Sequence, residues 1–123
     1  MSIRIGMVTI DAADSQALAL WWAEQLEFKI EAYIGADPVD PLSTEAAGGF
    51  FVVYMPDQVP LGFQQVPRPT PGKNRLHLDL GCDNRQGEVD RFVAAGATLA
   101  YEMDSWSTLA DPEGNLFCVS DLT

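Results

Sequence analysis

The chain has 123 residues, a length that fits one domain of ordinary size. Its composition, 47% hydrophobic and 10% aromatic, allows a substantial core and excludes a disordered acidic tail. Eighteen acidic and seven basic residues give a formal net charge of -11, which disfavours nucleic acid and anionic lipid as partners and attracts cationic small molecules.

Membrane insertion and export are also disfavoured by the sequence. No apolar run approaches the roughly 20 residues that span a bilayer, and the first residues lack the long apolar segment of a signal peptide. The two cysteines, Cys82 and Cys118, lie far apart in the chain. We therefore expect a cytoplasmic protein with two free thiols rather than a disulfide.

The first half of the chain predicts one helix among strands. Residues 3–10 are rich in β-branched side chains, which is typical of a strand. Asp14 is a candidate N-cap, and an apolar stripe at helical spacing follows it, formed by Leu18, Trp21, Trp22 and Leu26. Because Trp21 and Trp22 are adjacent, we expect one in the core and the other at the helix edge. Further strands are predicted at residues 28–34, 50–55 and 61–66, with a loop at residues 35–49.

The second half repeats this pattern after a connector at residues 67–72, where three alternate prolines forbid a helix. A shift of 70 residues places Met7 on His77, and the register slips by one after the helix. The predicted elements are a strand at 75–80, a helix capped by Asn84 and ended by Gly96, strands at 97–101, 106–110 and 116–120, and a turn at 111–115.

The repeat predicts a single domain, residues 1–123, made of two modules at residues 1–66 and 73–123. Each module has one strand, one helix and three further strands, so the fold class is α+β with two βαβββ modules. Each sheet exposes an apolar face that one module alone covers poorly. We therefore expect two curved mixed sheets around a cup-shaped cavity, joined within one chain or exchanged between chains.

Several segments resemble a known family. They are residues 62–67 (Gly-Phe-Gln-Gln-Val-Pro), 73–80 (Lys-Asn-Arg-Leu-His-Leu-Asp-Leu), 95–97 (Ala-Gly-Ala) and 111–118 (Asp-Pro-Glu-Gly-Asn-Leu-Phe-Cys). In this order they resemble the vicinal oxygen chelate superfamily of glyoxalases, bleomycin resistance proteins and dioxygenases, its glyoxalase-like branch in particular. The resemblance covers nearly the whole chain and implies paired modules, homodimers and pockets shared between modules.

One departure from the family pattern lies at the end of the first helix. The family has Leu-Gly-Phe there, whereas this chain has Leu26-Glu27-Phe28. A left-handed Glu27 would cost about 1 kcal/mol relative to glycine.

The resemblance also implies where a metal would be held. Metal-dependent members use the first strand of each module, the first hairpin and the last strand. The matching positions hold His77, Met7, Cys118 and either Gln64 or Gln65. Only the imidazole suits Mg, Mn or Fe, and zinc would have His77 and Cys118 with Asp79 as a candidate third ligand. We therefore expect no metal and no cofactor.

The candidate site centres on a polar strand face. Alternation places Arg75, His77 and Asp79 on one face and three leucines, Leu76, Leu78 and Leu80, on the face toward the helices. His77 and Asp79 are the candidate catalytic pair, with His77 as acid or base. An internal ion pair of Arg75 with Asp79 is the structural alternative.

The other candidate ligand contacts are Arg75, Trp106, Cys118, Met7, Phe63 and Gln65. Trp106 opens a strand after a polar loop and could form an aromatic wall. Cys118 is either a thiol activated by His77 or a buried cysteine without a reactive role.

These residues leave three functions open. The first is a metal-free module that binds an aromatic or cationic small molecule, as the bleomycin resistance members do. The second is a metal-independent isomerase or lyase in which His77 moves a proton with help from Asp79. The third, a metal-dependent glyoxalase or dioxygenase, is the least favoured by the donors present.

Overall fold

The computed structural model of the chain describes residues 3–27, 32–34, 50–71 and 76–122, with the backbone alone for residues 32–34. It divides into two compact units, unit 1 (Met1–Pro69) and unit 2 (Thr70–Thr123). The loop predicted at residues 35–49, and Phe28 and Arg75, lie outside the described residues.

Unit 1 contains one helix and a four-stranded mixed sheet. Its elements are β1 (Val8–Ala12), α1 (Ser15–Gln25), β2 (Ala32–Ile34), β3 (Phe50–Val53) and β4 (Leu61–Gln65). The sheet order is β1-β4-β3-β2, in which β1 and β4 are parallel and the other pairs antiparallel. The Asp14 side chain begins α1 by accepting a hydrogen bond from the amide of Ala17 at 3.1 Å, as predicted.

Unit 2 repeats this topology. Its elements are β5 (Asp79–Cys82), α2 (Arg85–Ala94), β6 (Thr98–Glu102), β7 (Trp106–Ala110) and β8 (Leu116–Asp121). The sheet order is β5-β8-β7-β6, again with the first and last strands parallel. Asn84 caps α2 through the amide of Gly87 at 3.1 Å. The predicted α+β fold of two βαβββ modules is therefore confirmed.

The helix ends explain the register slip in the repeat. Glu27 follows α1 with φ of 62°, and Gly96 follows α2 with φ of 113°, so both helices end in a left-handed residue. The helices differ in length, since α1 has 11 residues and α2 has 10. The extra residue in α1 turns the 70-residue offset at the N-caps into 69 at the helix ends.

Each unit buries some of its aromatic side chains between helix and sheet. Trp22 is 1% exposed, whereas Trp21 is half-buried and meets it edge to face at 5.0 Å, as expected for adjacent helix positions. In unit 2, the rings of Phe92 on α2 and Phe117 on β8 lie 5.1 Å apart. The Phe92–Phe117 contact identifies the face of the unit 2 sheet that α2 covers.

Two predicted strands begin later than the sequence indicates. The first starts at Val8 because its partner strand β4 starts at Leu61, immediately after a proline. The fifth strand, predicted from residue 75, starts at Asp79. Leu76 therefore precedes the strand, and it is 81% exposed. The prediction that all three leucines face the helices is therefore wrong for Leu76, which lies before the strand where pairing no longer fixes the face.

The turn at residues 111–115 forms as predicted. The Asp111 carboxylate accepts hydrogen bonds from the amides of Glu113 and Asn115, both at 3.0 Å. Gly114 has φ of 86°, a value that favours glycine. Asp111 thus fixes the start of β8 and with it the register of Cys118. In the described part of the chain, no helix is long and apolar enough to cross a membrane.

Replacing Glu27 with glycine tests the cost of its left-handed backbone. We expect Glu27→Gly to raise the free energy of unfolding by about 1 kcal/mol, since glycine adopts this conformation without strain from a Cβ. Urea denaturation measures the change. The matched variant in the other module, Gly96→Ala, should lower the stability by a similar amount, and an unchanged Glu27→Gly midpoint would contradict the account.

Candidate functional site

A row of side chains lies on the face of the unit 2 sheet opposite α2. Because Phe117 contacts the helix and strand side chains alternate, the adjacent Cys118 points to the opposite face. Asp79 pairs with Cys118, and Cys118 pairs with Thr108. Tyr101 pairs in turn with Thr108. Residues directly opposite each other share a face, so these four side chains form one row from β5 to β6.

Three of the predicted site residues meet at one end of this row. The Nε2 atom of His77 lies 3.6 Å from Oδ1 of Asp79. One donor atom each from His77, Asp79 and Cys118 lies within 4.8 Å of the other two. The structure thus brings together an imidazole, a carboxylate and a thiol, which the sequence assigned to two separate segments.

Exposure differs sharply across this cluster. The side chains of His77 and Asp79 are 28% and 63% exposed, whereas Cys118 is only 4% exposed. The Cys118 sulfur lies 3.3 Å from the hydroxyl of the buried Thr108, which fixes its position. The cluster therefore has two accessible polar groups above a buried thiol.

Trp106 lies on the same face as the row. It is two residues before Thr108 on β7, about 6.6 Å along the strand, and it is 38% exposed. The guanidinium of Arg85 donates to the carbonyls of Met103 and Asp104 at 3.2 and 3.0 Å, which holds the turn before Trp106. Arg85 thereby connects the start of α2 to the position of this ring.

Thr108 and Tyr101 belong to the row but were missed by sequence reasoning. The sequence could have identified Thr108, because it lies two residues after Trp106 in the same predicted strand and therefore on the same face. The sequence could not have identified Tyr101. A register irregularity between Leu99 and Tyr101 puts Leu99 opposite Leu109 and Tyr101 opposite Thr108, on different faces. Strict alternation would have placed these two side chains together.

In unit 1, the equivalent positions have a different chemistry. Thr9 pairs with Gly62 as Asp79 pairs with Cys118, so Gly62 is the counterpart of Cys118. A Cβ added at Gly62 would lie 2.6 Å from the Met7 sulfur and 2.9 Å from the ring of Phe50. Met7, the counterpart of His77, thus packs where a side chain at position 62 would lie.

Phe63 and Gln65, both predicted to contact a ligand, lie on the helix face of unit 1. Phe63 is fully buried there. The Gln65 carbonyl accepts hydrogen bonds from the amide and hydroxyl of Ser15 at 2.9 and 3.1 Å, and its amide donates to the carbonyl of Ala13. These bonds tie β4 to the start of α1. The structure therefore separates both residues from Met7, which lies on the other face.

Both cysteines are free, as the sequence predicts. Burial is the main cause that raises the pKa of the Cys82 thiol, and the nearby carboxylate of Glu88 adds to it. The Cys82 sulfur lies 3.6 Å from the Ser120 carbonyl, within reach of a weak hydrogen bond. Cys82 is therefore a protonated thiol at neutral pH and a poor nucleophile.

The donors do not fit the hard divalent ion that metal-dependent members of the resembled family hold. The position opposite His77 in the repeat is the Met7 thioether, and the last-strand position is the Cys118 thiol. The Gln65 amide is committed to α1, Gly62 offers no side chain, and Gln64, the other candidate in the first hairpin, supplies only a neutral amide. Mg, Mn and Fe ions require mainly oxygen and imidazole ligands.

A separate groove of about 660 Å³ lies between α2 and β6 in unit 2. Its lining is mainly apolar and includes Val89, Val93 and Leu99, with Asp90 as the charged side chain. None of the predicted site residues lines it. The groove is open and shallow, and we assign no function to it.

The fold defines a class, a protein built from two βαβββ modules. The sequence model of a family described as "Glyoxalase-like domain" matches residues 7–120, so the chain belongs to this family. None of the curated proteins compared with the chain matches it significantly.

Solved structures of the glyoxalase, bleomycin resistance and dioxygenase group share this fold. A family enzyme from Burkholderia phytofirmans PsJN is 18% identical with a TM-score of 0.67, over 98% of this chain and 100% of that one. A glyoxalase-related enzyme from Fulvimarina pelagi is 15% identical with a TM-score of 0.70, over 97% and 88%. The antibiotic-binding protein TnmS3 from Streptomyces sp. CB03234 is 16% identical with a TM-score of 0.69, over 100% and 99%.

Removing the Gln65 amide tests its structural role. We expect Gln65→Ala to lower the free energy of unfolding by about 1–3 kcal/mol, because the buried Ser15 hydroxyl and amide lose their acceptor. Urea denaturation measures the loss. Gln65→Glu keeps an acceptor for Ser15 and should retain more of the stability, whereas equal losses in the two variants would contradict the assignment.

Proposed function

We propose that the protein binds an aromatic or cationic small molecule on the unit 2 sheet face that carries His77, Asp79 and Trp106, without a catalytic metal ion. The observation that carries the proposal is the grouping of an accessible carboxylate and imidazole on the same face as a partly exposed indole. A carboxylate attracts a cation, and an aromatic ring adds stacking and cation–π attraction.

Two further features support a binding role. The net charge of -11 raises the local concentration of cations near the surface. TnmS3, whose fold is similar, is described as an antibiotic-binding protein. Small molecules with a ring and a positive charge are therefore the class to screen first.

We further propose that the binding protein is a cytoplasmic homodimer. Free Cys82 and Cys118 fit a reducing compartment, and paired modules of this family imply dimers with pockets shared between modules. The oligomeric state is measured by light scattering of the purified chain.

A thermal shift screen tests the binding role. Purified protein with chelator present is melted against aromatic amines and glycopeptide antibiotics, and hits are titrated by calorimetry. We expect Trp106→Ala and Asp79→Asn each to weaken binding about tenfold, since each removes one of the proposed contacts. Asp83→Asn, at an exposed carboxylate of unit 2 that is not part of the cluster, is the matched control for Asp79→Asn. Flat melting curves across the panel at millimolar concentration would refute the proposal.

A metal-independent isomerase or lyase is the second candidate. It is favoured by the 3.6 Å approach of the His77 ring to the Asp79 carboxylate, which can orient an imidazole for proton transfer. If a ligand from the screen is turned over, we expect His77→Gln to lower kcat at least 100-fold, about the contribution of a general acid or base. The affinity measured by calorimetry should stay within a few-fold, and a loss of binding without a selective loss of kcat would favour the binding role alone.

A further inference from the structure

We propose that Arg85 is a positioning residue for Trp106: by binding the turn between β6 and β7, it fixes the indole on the sheet face that carries His77 and Asp79. Its effect on a ligand rests on the proposed function, in which Trp106 is the aromatic contact. Arg85 is the first residue of α2, and it belongs to unit 2 together with the turn and Trp106. It acts through the turn and not by contact with the ligand.

The turn before Trp106 is a two-residue loop, Asp104 and Ser105. The register of β6 on β7 continues to Met103 and Trp106, where the amide of Met103 donates to the carbonyl of Trp106 at 2.8 Å. Two-residue hairpin loops favour turns with positive φ, because the twist of these turns matches that of the strands. Neither Asp104 nor Ser105, both of which the structure describes, has a positive φ. The loop therefore lacks the backbone geometry that closes such a hairpin most readily.

Groups from outside the hairpin hold the backbone of this loop. The guanidinium of Arg85 donates through Nη1 to the carbonyl of Met103 at 3.2 Å and through Nη2 to the carbonyl of Asp104 at 3.0 Å. The next carbonyl, that of Ser105, accepts from the amide of Asp121 at the end of β8 at 2.9 Å. Three consecutive carbonyls are thus bound from two other elements, and Arg85 supplies two of these bonds.

An ion pair joins the two sources of these bonds. The Nε atom of Arg85 lies 3.5 Å from Oδ1 of Asp121, and the two side chains are 22% and 46% exposed. An ion pair as exposed as this adds little stability by itself. It does orient the planar guanidinium, whose Nη atoms then point toward the turn. A lysine has one ammonium group on a flexible stem, so it could not hold two adjacent carbonyls in the same way.

Trp106 lies at the end of the sheet, where the turn determines how firmly its ring is held. It is the first residue of β7, and it pairs with Ser120 of β8 on the other side. Strand ends open more readily than strand centres, and the surrounding protein covers only part of an indole that is 38% exposed. Met103, which is 49% exposed, lies opposite Trp106 and moves with the turn. Loss of the Arg85 bonds should therefore release the ring while the buried part of unit 2 stays folded.

Charge and position have opposite effects on a cationic ligand when Arg85 is removed. Loss of a positive charge increases the attraction of a cation to this acidic chain. Loss of the positioned indole weakens the contact with the ring and the charge of the ligand. A decrease in affinity therefore identifies a positioning role, whereas an increase identifies an effect of charge alone.

Acrylamide quenching of fluorescence tests the position of Trp106 without a ligand. Because Trp21 and Trp22 also emit, the signal of Trp106 is taken as the difference between the full chain and its Trp106→Phe variant. We expect Arg85→Gln to raise the quenching of Trp106 about twofold, since a ring that is 38% exposed can at most become fully exposed. Unchanged quenching in Arg85→Gln, or a change that persists in the Trp106→Phe background, overturns the proposal.

Two further variants separate positioning from a general loosening of α2. Arg91→Gln is the matched control, because Arg91 lies on the same helix and pairs with Glu88 at 2.7 Å. It should leave the quenching of Trp106 unchanged, and an equal rise in Arg91→Gln overturns the proposal. Arg85→Lys keeps the charge and should raise the quenching less than Arg85→Gln does. If Arg85→Gln does not fold, Arg85→Lys decides in its place, and unchanged quenching there overturns the proposal.

A double-mutant cycle tests the consequence for binding. Benzyltrimethylammonium, a cation with one aromatic ring, is titrated by calorimetry into the full chain and into Arg85→Gln, Trp106→Ala and the double variant. We expect Arg85→Gln to weaken binding about tenfold, the loss expected for Trp106→Ala itself, and less than about twofold when Trp106 is already alanine. Equal losses in both backgrounds overturn the proposal. If the wild-type chain binds no such cation, the proposed function fails for this probe, whereas the quenching of Trp106 still decides the role of Arg85.

Discussion

The parallel pairing of the first and last strands is the constraint on which the structure of each unit depends. In unit 2 it joins β5 to β8 and places Asp79 directly beside Cys118, although most of the unit lies between them in sequence. A slip of one residue in this register would turn Cys118 to the helix face and Phe117 to the opposite face. The turn capped by Asp111 and the pairing of Thr108 with Cys118 both hold β8 in its register.

The same constraint gives two chemically different results in the two units. In unit 1 the pairing of β1 with β4 puts Thr9 beside Gly62, and the absent side chain is replaced by the packed sulfur of Met7. In unit 2 the corresponding positions carry His77 and Cys118. Because the topology is shared, the difference arises from side chains alone. At these two positions the imidazole and the thiol therefore belong to unit 2.

Within the unit 2 cluster, burial separates the roles of the three donors. The Asp79 carboxylate and the His77 ring are accessible and can meet an organic cation or accept a proton. Cys118 lies below them, held by Thr108, and its burial leaves it little accessible to an organic ligand.

The sequence alone determined the elements, the repeat and the family. Helix caps, the turn at Asp111 and the polar alternation at His77 and Asp79 are local signals, because each depends on residues a few positions apart. The left-handed Glu27 was likewise predictable from the position of Gly96 in the repeat. The starts of the strands at Val8 and Asp79 were not predictable from the sequence, since a strand begins where its partner offers hydrogen bonds.

The family resemblance had already grouped His77 with Cys118, but only the tertiary structure decided how closely distant side chains approach one another. The register of β5 on β8 brought Cys118 to His77 and Asp79, and the irregularity in β6 moved Tyr101 onto the polar face. It also assigned Gln65 to the start of α1, a contact between residues 50 positions apart. Sequence periodicity specifies the faces of one element, whereas the pairing between elements specifies the site. The cluster of imidazole, carboxylate and thiol is therefore a product of strand register.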